Sequence, residues 1–183
     1  MPDLASLKTA ALEEWQLLQN NTQPVIYFGM ASCGRAAGAV EIRRAVEDTL
    51  DENFLTARLV DVGCIGPCYL EPIMDIAMPG WARVSYGQMT PAKAKKLVAA
   101  ALKTGIPPVE DALGVVEPID NRQTGDLPRL FDHPMLKQQT RIVLRNCGLI
   151  DPEQFGHYLA RDGYTGLQNA LKMSPEEVIE QVR

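Results

Sequence analysis

The chain has 183 residues, of which 46% are hydrophobic and 22% charged, with a net charge of −5 at neutral pH. This composition predicts a soluble globular protein with either one core of ordinary size or one domain plus an extension, and the negative charge argues against a nucleic-acid partner. No apolar run approaches the roughly 20 residues of a membrane span, so direct membrane insertion is not expected. The N-terminus has no pattern of a secretory signal, which predicts a cytoplasmic protein that would meet a membrane only through a larger complex.

Hydrophobic periodicity and turn residues predict alternating helices and strands over the first hundred residues. In chain order the predicted elements are a helix at 3–19, a strand at 25–28, a helix at 36–50, a strand at 57–62, two strands within 72–86 and a helix at 91–103. One βαβ unit followed by a hairpin is typical of an α/β fold in which helices flank a small mixed sheet.

The composition changes after residue 103. Glycines and prolines punctuate residues 104–136 and the periodicity is lost, which predicts an extended connector. Residues 137–183 are predicted to be helical again, with capping patterns that begin at Asp151 and Ser174. This short helical segment is too small to enclose a core of its own, so we expect it to belong to a larger folded unit.

Three of the four cysteines lie in two loops that follow predicted strands. Cys33 follows the first strand, and Cys64 and Cys68 follow the second in the run C-I-G-P-C. If these strands are neighbours in the sheet, both loops emerge at the same edge and the three thiols lie close together. Two thiolates on one tight loop can bind a common iron, and Gly63 and Gly66 let the backbone approach it.

Other candidate ligands are weaker. Cys147 precedes a predicted helix and is expected to be a packed thiol. His133 and His157 are isolated from other ligand residues and are expected to be core or surface residues, and Glu71 is expected to be solvated near the cysteine loop. Since iron–sulfur clusters usually take four cysteine ligands, Cys147, a serine or an outside ligand would have to complete the set.

Three stretches resemble the thioredoxin-like [2Fe-2S] ferredoxin domain, namely GMASCGRAAGAVEI, VGCIGPCYLEPIMDI and YGQMTPAKAKKLV. In that family two cysteines separated by four residues precede the first long helix, and a C-x3-C pair follows the next strand. Cys33 matches the second cysteine of the first pair, and Cys64 and Cys68 match the second pair. The resemblance implies that these three residues bind a [2Fe-2S] cluster, whereas Phe28 stands at the position of the first ligand.

The end of the chain, from RIVLRNCGLIDPEQF to Arg183, resembles the start of the flavin-binding domain in NADH-oxidising flavoprotein subunits. That family includes subunits of complex I, bifurcating hydrogenases and NAD-dependent formate dehydrogenases. The resemblance implies a ferredoxin domain at 1–103, a connector at 104–136 and the start of the flavin domain at 137–183. FMN, NADH and [4Fe-4S] sites are then expected only in a downstream region, so we expect a fragment or split form that is not catalytic alone.

Two functional hypotheses follow. In the first, the chain is an electron-transfer module that relays single electrons through a [2Fe-2S] cluster to or from a flavin or partner clusters. In the second, it is a cluster-free docking domain that assembles the flavoprotein with its partner subunits, which include a small ferredoxin-like subunit. A thioredoxin-type oxidoreductase is disfavoured, because Cys33 stands alone at a helix start where that chemistry needs C-x-x-C.

Overall fold

The computed structural model describes residues 3–20, 22–116 and 122–183. The strands are β1 (Val25–Gly29), β2 (Arg58–Val62), β3 (Met74–Ala77), β4 (Arg83–Tyr86) and β5 (Ala112–Val116). The helices are α1 (Leu4–Asn20), α2 (Ser32–Ala36), α3 (Ala39–Glu52), α4 (Pro91–Thr104), α5 (Pro134–Lys137), α6 (Phe155–Ala160), α7 (Thr165–Ala170) and α8 (Pro175–Val182). Two 3₁₀ turns lie at Cys68–Leu70 and Leu130–Asp132. Among the described residues, no helix combines the length and apolar character needed to cross a membrane.

The strands form one mixed sheet in the order β2-β1-β3-β4-β5. β1 and β2 are parallel, with Val25 opposite Arg58 and Gly29 opposite Val62. The other neighbouring pairs are antiparallel. A βαβ unit followed by a hairpin that pairs with its first strand is the thioredoxin-like arrangement. The predicted α/β fold with a small mixed sheet flanked by helices is therefore confirmed.

β1 is buried along its whole length because both faces of the sheet are covered. Ile26 and Phe28 pack in the main core with residues of α3 and α4. Val25 and Tyr27 pack in a second core beneath α1. This division follows from the two-residue period of a strand, which sends successive side chains to opposite faces. The continuous apolar run at 25–28 is thus a strand buried on both sides, as predicted.

The predicted start of α4 is also correct. The Thr90 side chain accepts a hydrogen bond of 3.2 Å from the Lys93 backbone N–H, and Pro91 occupies the first helical turn. Gly105 ends the helix with a φ of +74°, a left-handed conformation that glycine adopts without a steric penalty. These local signals fix both ends of the helix that covers the main core.

The segment predicted as an extended connector contributes a fifth strand. β5 pairs with β4, and its Gly114 has a φ of +148°. A Cβ at Gly114 would lie 2.5 Å from the Pro128 carbonyl oxygen, so glycine lets the returning chain pack against β5. The same glycine interrupts the apolar pattern that would have indicated a strand. Residues 117–121 of the connector lie outside the described residues.

The C-terminal helices pack partly on the N-terminal helix. On α6, His157 makes an edge-to-face contact with Trp15 of α1, with 5.2 Å between ring centroids. α8 begins with the predicted capping box, in which the Ser174 and Glu177 side chains each accept a hydrogen bond from the other's backbone N–H. The Asp151 pattern instead caps a turn, and α6 begins four residues later at Phe155.

Candidate metal centre

The three predicted ligand cysteines meet at the edge of the sheet where β1 and β2 end. Because these strands are parallel neighbours, the loops that follow them emerge side by side. Cys33 lies in the first turn of α2, Cys64 lies in the loop after β2, and Cys68 begins a 3₁₀ turn. Their Sγ atoms all lie within 4.8 Å of one another. The expected juxtaposition of the two loops is therefore present.

The distances suit coordination of a metal. The Sγ atoms of Cys64 and Cys68 are 3.7 Å apart, and all the cysteines are free thiols. Two thiolates bound to one tetrahedral metal ion at about 2.3 Å stand about 3.8 Å apart. Thiolate sets of this kind select zinc, copper(I) or iron–sulfur clusters over hard cations. The residues present therefore fit a thiolate-bound metal group.

The loop between Cys64 and Cys68 is shaped by Gly66, which has a φ of +121°. In this left-handed conformation the Gly66 backbone N–H donates a hydrogen bond of 3.3 Å to the Cys64 Sγ. The Cys68 thiol lies 3.4 Å from the Gly66 carbonyl oxygen and donates to it. The loop thus turns both sulfur atoms to the same side and supplies one N–H group to a sulfur.

The electrostatic environment disfavours free thiolates. Burial, followed by hydrogen bonding with the neighbouring thiols, raises the pKa of Cys33 to about 12, and burial raises the pKa of Cys64 as well. A thioredoxin-type nucleophile requires a lowered thiol pKa, whereas burial raises the pKa of Cys33, the cysteine at the start of α2. A bound cation, in contrast, would offset the mutual repulsion of three thiolates.

Glu71 was expected to be solvated, and that expectation is wrong. Its side chain is buried, with 8% of the residue surface exposed. The Oε2 atom accepts a hydrogen bond of 2.8 Å from the Ile73 N–H, and the Cys33 thiol lies 3.8 Å from Oε1. Burial raises the pKa of Glu71 above its ordinary value. The signal in the sequence was the run of apolar residues on both sides of this lone carboxylate.

A buried ion pair lies behind Glu71. Arg83 of β4 donates a hydrogen bond of 2.8 Å from Nε to Asp75 of β3, and its guanidinium lies 3.6 Å from the centroid of the Tyr27 ring. The same guanidinium donates a 2.8 Å hydrogen bond to the Gly148 carbonyl of the C-terminal segment. Arg83 therefore joins the sheet to the chain that follows the connector.

Phe28 and Cys147 are not part of the thiol group. Phe28 is 1% exposed and packs in the main core, with the Arg43 guanidinium 6.0 Å from its ring centroid. Cys147 is half-buried, and its neighbour Gly148 packs on Ile65 of the cysteine loop. The Cys147 thiol does not belong to the group of three converging sulfur atoms.

The two histidines take the structural roles expected of them. The Nδ1 atom of His157 accepts a hydrogen bond of 3.1 Å from the Asp151 N–H, and the ring packs on α1. The Nδ1 atom of His133 accepts from the Met135 N–H at the start of α5. Neither histidine belongs to the group of potential ligands around the cysteines.

Comparison with known proteins finds relatives among hydrogenase subunits, whereas no protein-family model matches the chain. The chain is 31% identical over 88 residues to the NADP-reducing hydrogenase subunit HndB of Solidesulfovibrio fructosivorans, a match that covers 48% of this chain and 70% of HndB. It is 51% identical over 47 residues to subunit HndC of the same organism, which covers 26% of this chain and only 10% of HndC.

Two solved structures of a thioredoxin-like [2Fe-2S] ferredoxin from Aquifex aeolicus also overlap with the chain, each at 20% sequence identity. Their TM-scores are 0.41 and 0.43; the overlaps cover 49% and 52% of this chain and 94% of each ferredoxin. Because these TM-scores are below 0.5, the thioredoxin-like assignment rests on the strand order and pairing described above.

Proposed function

The chain belongs to the family of the NADP-reducing hydrogenase subunit HndB, and on that premise we propose that it is an electron-transfer module that holds a [2Fe-2S] cluster with Cys33, Cys64 and Cys68. The resemblance of the sequence to NADH-oxidising flavoprotein subunits, a family that includes hydrogenase subunits, is confirmed by the matches to two hydrogenase subunits. The observation that carries the proposal is the convergence of the three Sγ atoms within 4.8 Å. When bound, such a cluster takes up and releases one electron at a time.

The chain's own residues would hold and tune the cluster. Cys64 and Cys68 would bind one iron, since their sulfur atoms already have the separation of ligands on a common metal ion. The Gly66 N–H would stabilise the negative charge on the Cys64 sulfur. Cys68 is exposed whereas Cys33 and Cys64 are half-buried, so a partner could approach the cluster from the Cys68 side.

The partners in this proposal are the other subunits of an NADH-linked oxidoreductase, including a small ferredoxin-like subunit. Because the chain spans only 10% of HndC and 70% of HndB, the activity of a whole hydrogenase is not assigned to it. We place the electron exchange with a flavin in a further domain or subunit that would follow or meet residues 137–183. In this division residues 1–103 are the ferredoxin domain and 104–136 the connector, and the complex works in the reducing cytoplasm.

The experiment is iron and acid-labile sulfide analysis of the full chain, purified or reconstituted without oxygen, together with visible and EPR spectra. Two irons and two sulfides per chain and a one-electron EPR signal after reduction are expected. Cys68→Ser should lose both the colour and the signal, whereas Cys147→Ser is the matched control and should keep them. A wild-type chain without iron after reconstitution would contradict the proposal.

A cluster-free docking domain remains the second candidate, favoured by the exposed apolar residues of the C-terminal segment. Val143 is 92% exposed and Leu171 78% exposed, and Ile142, Ile179 and Val182 are also exposed. Such side chains mark interaction surfaces when they cluster. In this case the chain would bind its partner subunits equally well with or without iron, which co-purification of Cys68→Ser with those subunits would reveal.

A further inference from the structure

Three thiolates leave one ligand position of a [2Fe-2S] cluster without a residue, because such clusters usually take four protein ligands. The position that holds the first ligand in the resembling family is filled by Phe28, whose side chain is in the main core. The Glu71 carboxylate, however, lies in contact with Cys33, with 3.8 Å between Oε1 and Sγ. Glu71 is therefore an oxygen donor beside an incomplete sulfur set.

The distance between Glu71 and Cys33 suits two ligands of one metal ion. A thiolate at about 2.3 Å and a carboxylate oxygen at about 2.0–2.2 Å from a tetrahedral ion stand roughly 3.5–3.7 Å apart. The observed 3.8 Å is within a small side-chain adjustment of that value. The Sγ atoms of Cys64 and Cys68 are 3.7 Å apart, and the Sγ atom of Cys33 lies within 4.8 Å of both. The four groups can thus bind as two pairs, Glu71 with Cys33 and Cys64 with Cys68, one pair for each iron.

The carboxylate is held in place by its surroundings. The Ile73 N–H binds Oε2 at 2.8 Å, which leaves Oε1 directed to Cys33. Gly29 and Gly34 provide the space: a Cβ at Gly29 would lie 2.9 Å from Oε2, and a Cβ at Gly34 would lie 3.2 Å from it. A carboxylate buried with one backbone donor lacks full compensation for its desolvation, which a metal ion would supply.

We propose that the Glu71 carboxylate is the fourth ligand of the cluster, and that it binds the same iron as Cys33 while Cys64 and Cys68 bind the other. This inference rests on the proposed function, since it requires the cluster to be present. The chain would thus use a carboxylate in place of the fourth cysteine. One iron would have four sulfur ligands, and the other would have three sulfur ligands and one oxygen.

Cys147 is the competing fourth ligand, because Gly148 beside it packs on Ile65. Arg141 links the Cys147 backbone to the cysteine loop, because the guanidinium donates to the Ile65 carbonyl at 2.8 Å and to the Cys147 carbonyl at 3.1 Å. Neither Cys147 nor Glu71 belongs to the group of three converging residues, but the Oε1 atom of Glu71 lies 3.8 Å from the Cys33 Sγ. The test must therefore separate a carboxylate ligand from a fourth thiolate.

The first measurement uses the unaltered chain and needs no variant to fold. After reconstitution with ⁵⁷Fe and sulfide, the oxidised protein is examined by Mössbauer spectroscopy. Two quadrupole doublets of equal area are expected, one for the iron with four sulfur ligands and one for the iron that also has an oxygen ligand. A single doublet for both irons would mean equivalent all-sulfur ligation and would overturn the assignment.

The second measurement compares iron retention in variants. Glu71→Gln keeps the size of the side chain and an oxygen acceptor for the Ile73 N–H, but removes the anionic ligand. Loss of a group outside the ligand sphere already lowers metal affinity about 10- to 100-fold, so Glu71→Gln should lower the affinity for the cluster by at least that factor. Cys147→Ser should retain iron like the wild type. Unchanged iron retention and EPR signal in Glu71→Gln, or loss of the cluster in Cys147→Ser, would overturn the proposal.

A rescue experiment tests the position of the ligand. Since the Cβ at position 29 would lie 2.9–3.2 Å from the Glu71 oxygens, Gly29→Cys combined with Glu71→Ala should place a thiol where the carboxylate was. We expect this double variant to regain iron relative to Glu71→Ala and to show a single Mössbauer doublet. No recovery of iron in a double variant with wild-type circular dichroism would count against the proposal.

The outcomes also separate this inference from the proposed function. A wild-type chain that takes up no iron overturns both. A wild-type cluster with a single doublet, or a cluster that Glu71→Gln leaves unchanged, overturns the Glu71 ligand alone and leaves the electron-transfer proposal standing.

Discussion

The sheet region at residues 3–20 and 22–116 and the C-terminal segment at 137–183 are stabilised in different ways. The sheet region encloses its own core, with β1 buried on both faces and α3 and α4 packed over the main core. In the C-terminal segment α7 and α8 contain no buried residues, and burial is confined to Gly148, Leu149 and Ile150, to two residues of α6 and to Gly163. The first region contains cores of its own, whereas the second packs on the loop after β2 and on α1.

The cysteine edge lies where these two regions meet. Ile65, inside the cysteine loop, packs in one cluster with Leu149 and Ile150 of the C-terminal segment. Arg83 binds Gly148, and Arg141 binds the Ile65 carbonyl. The loop that carries two of the ligand cysteines therefore packs on both the sheet region and the C-terminal segment. Substitutions in the C-terminal segment should weaken binding of the cluster even though they alter none of its ligands.

The largest effect is expected from Arg83, because it joins the two regions through a buried ion pair. Arg83→Leu would leave Asp75 buried without its cation, and breaking a buried pair from one side costs about 3–5 kcal/mol. The side chains of Arg83 and Asp75 are 11% and 5% exposed. Arg43→Leu is the control: its partners Glu47 and Asp61 are partly exposed, and such pairs contribute about 0–1 kcal/mol. Urea unfolding of both variants measures the difference, and equal losses would contradict the account.

Two leucines of the C-terminal segment test how much of that segment packs stably on the sheet region. Leu159 on α6 is 1% exposed, and Leu159→Ala should cost about 2–5 kcal/mol if α6 unfolds together with the sheet region. Leu171, which follows α7, is 78% exposed, and Leu171→Ala should change the free energy of unfolding by no more than about 0.5 kcal/mol. If Leu159→Ala left the unfolding midpoint of the sheet region unchanged, the two regions would be independent.

Most of the fold could be predicted from local signals. The apolar run at 25–28, the Thr90-Pro91 helix start and the Ser174 capping box each act within a few residues, so the sequence alone indicates them. β5 could not be predicted, because its apolar pattern is interrupted by Gly114, which has no side chain and so allows Pro128 to approach closely. That approach is a contact between distant segments, and periodicity carries no information about it.

The candidate site, too, could be predicted only in part. The proximity of Cys33 to Cys64 and Cys68 followed from the topology, since loops after parallel neighbouring strands emerge together. The burial of Glu71 was not predicted, although apolar residues flank it in the sequence, because a lone glutamate in a loop is ordinarily solvated. Its position depends on the space left by Gly29 and Gly34, which only the folded backbone brings beside it.

Gly148 tests the contact between the C-terminal segment and the cysteine loop. It has a φ of +80°, and a Cβ would lie 2.1 Å from the Ile65 Cγ2 atom. Gly148→Ala should therefore destabilise the protein by about 1–3 kcal/mol through overpacking and backbone strain, and should also speed iron loss to a chelator. In α7, Gly166 has open space around its Cα, so Gly166→Ala should be neutral or stabilising by up to about 1 kcal/mol. If Gly148→Ala lost iron at the wild-type rate, the contact of the C-terminal segment with the cysteine loop would not stabilise the metal site.

The smallest effect is a dependence of stability on pH that arises where α6 packs on α1. Burial is the main cause that lowers the pKa of His157, opposed by Asp151 and Glu14 and assisted by Arg58. The unfolded chain, with an ordinary histidine pKa of about 6.5, then binds a proton at a higher pH than the folded chain does. Stability from this residue is fully present above that value and is lost as the pH falls through it.

Urea unfolding between pH 7.5 and 5.5 of wild type, His157→Gln and His133→Gln measures this contribution. Expected is a decline in the free energy of unfolding below about pH 6.5 that is smaller in His157→Gln and unchanged in His133→Gln. Since His157 contacts Trp15 and is not among the potential metal ligands, the decline should occur equally in chains with and without iron. A decline that persisted in His157→Gln would mean that other groups cause the acid sensitivity. The packing of α6 on α1 would then contribute nothing to the pH dependence.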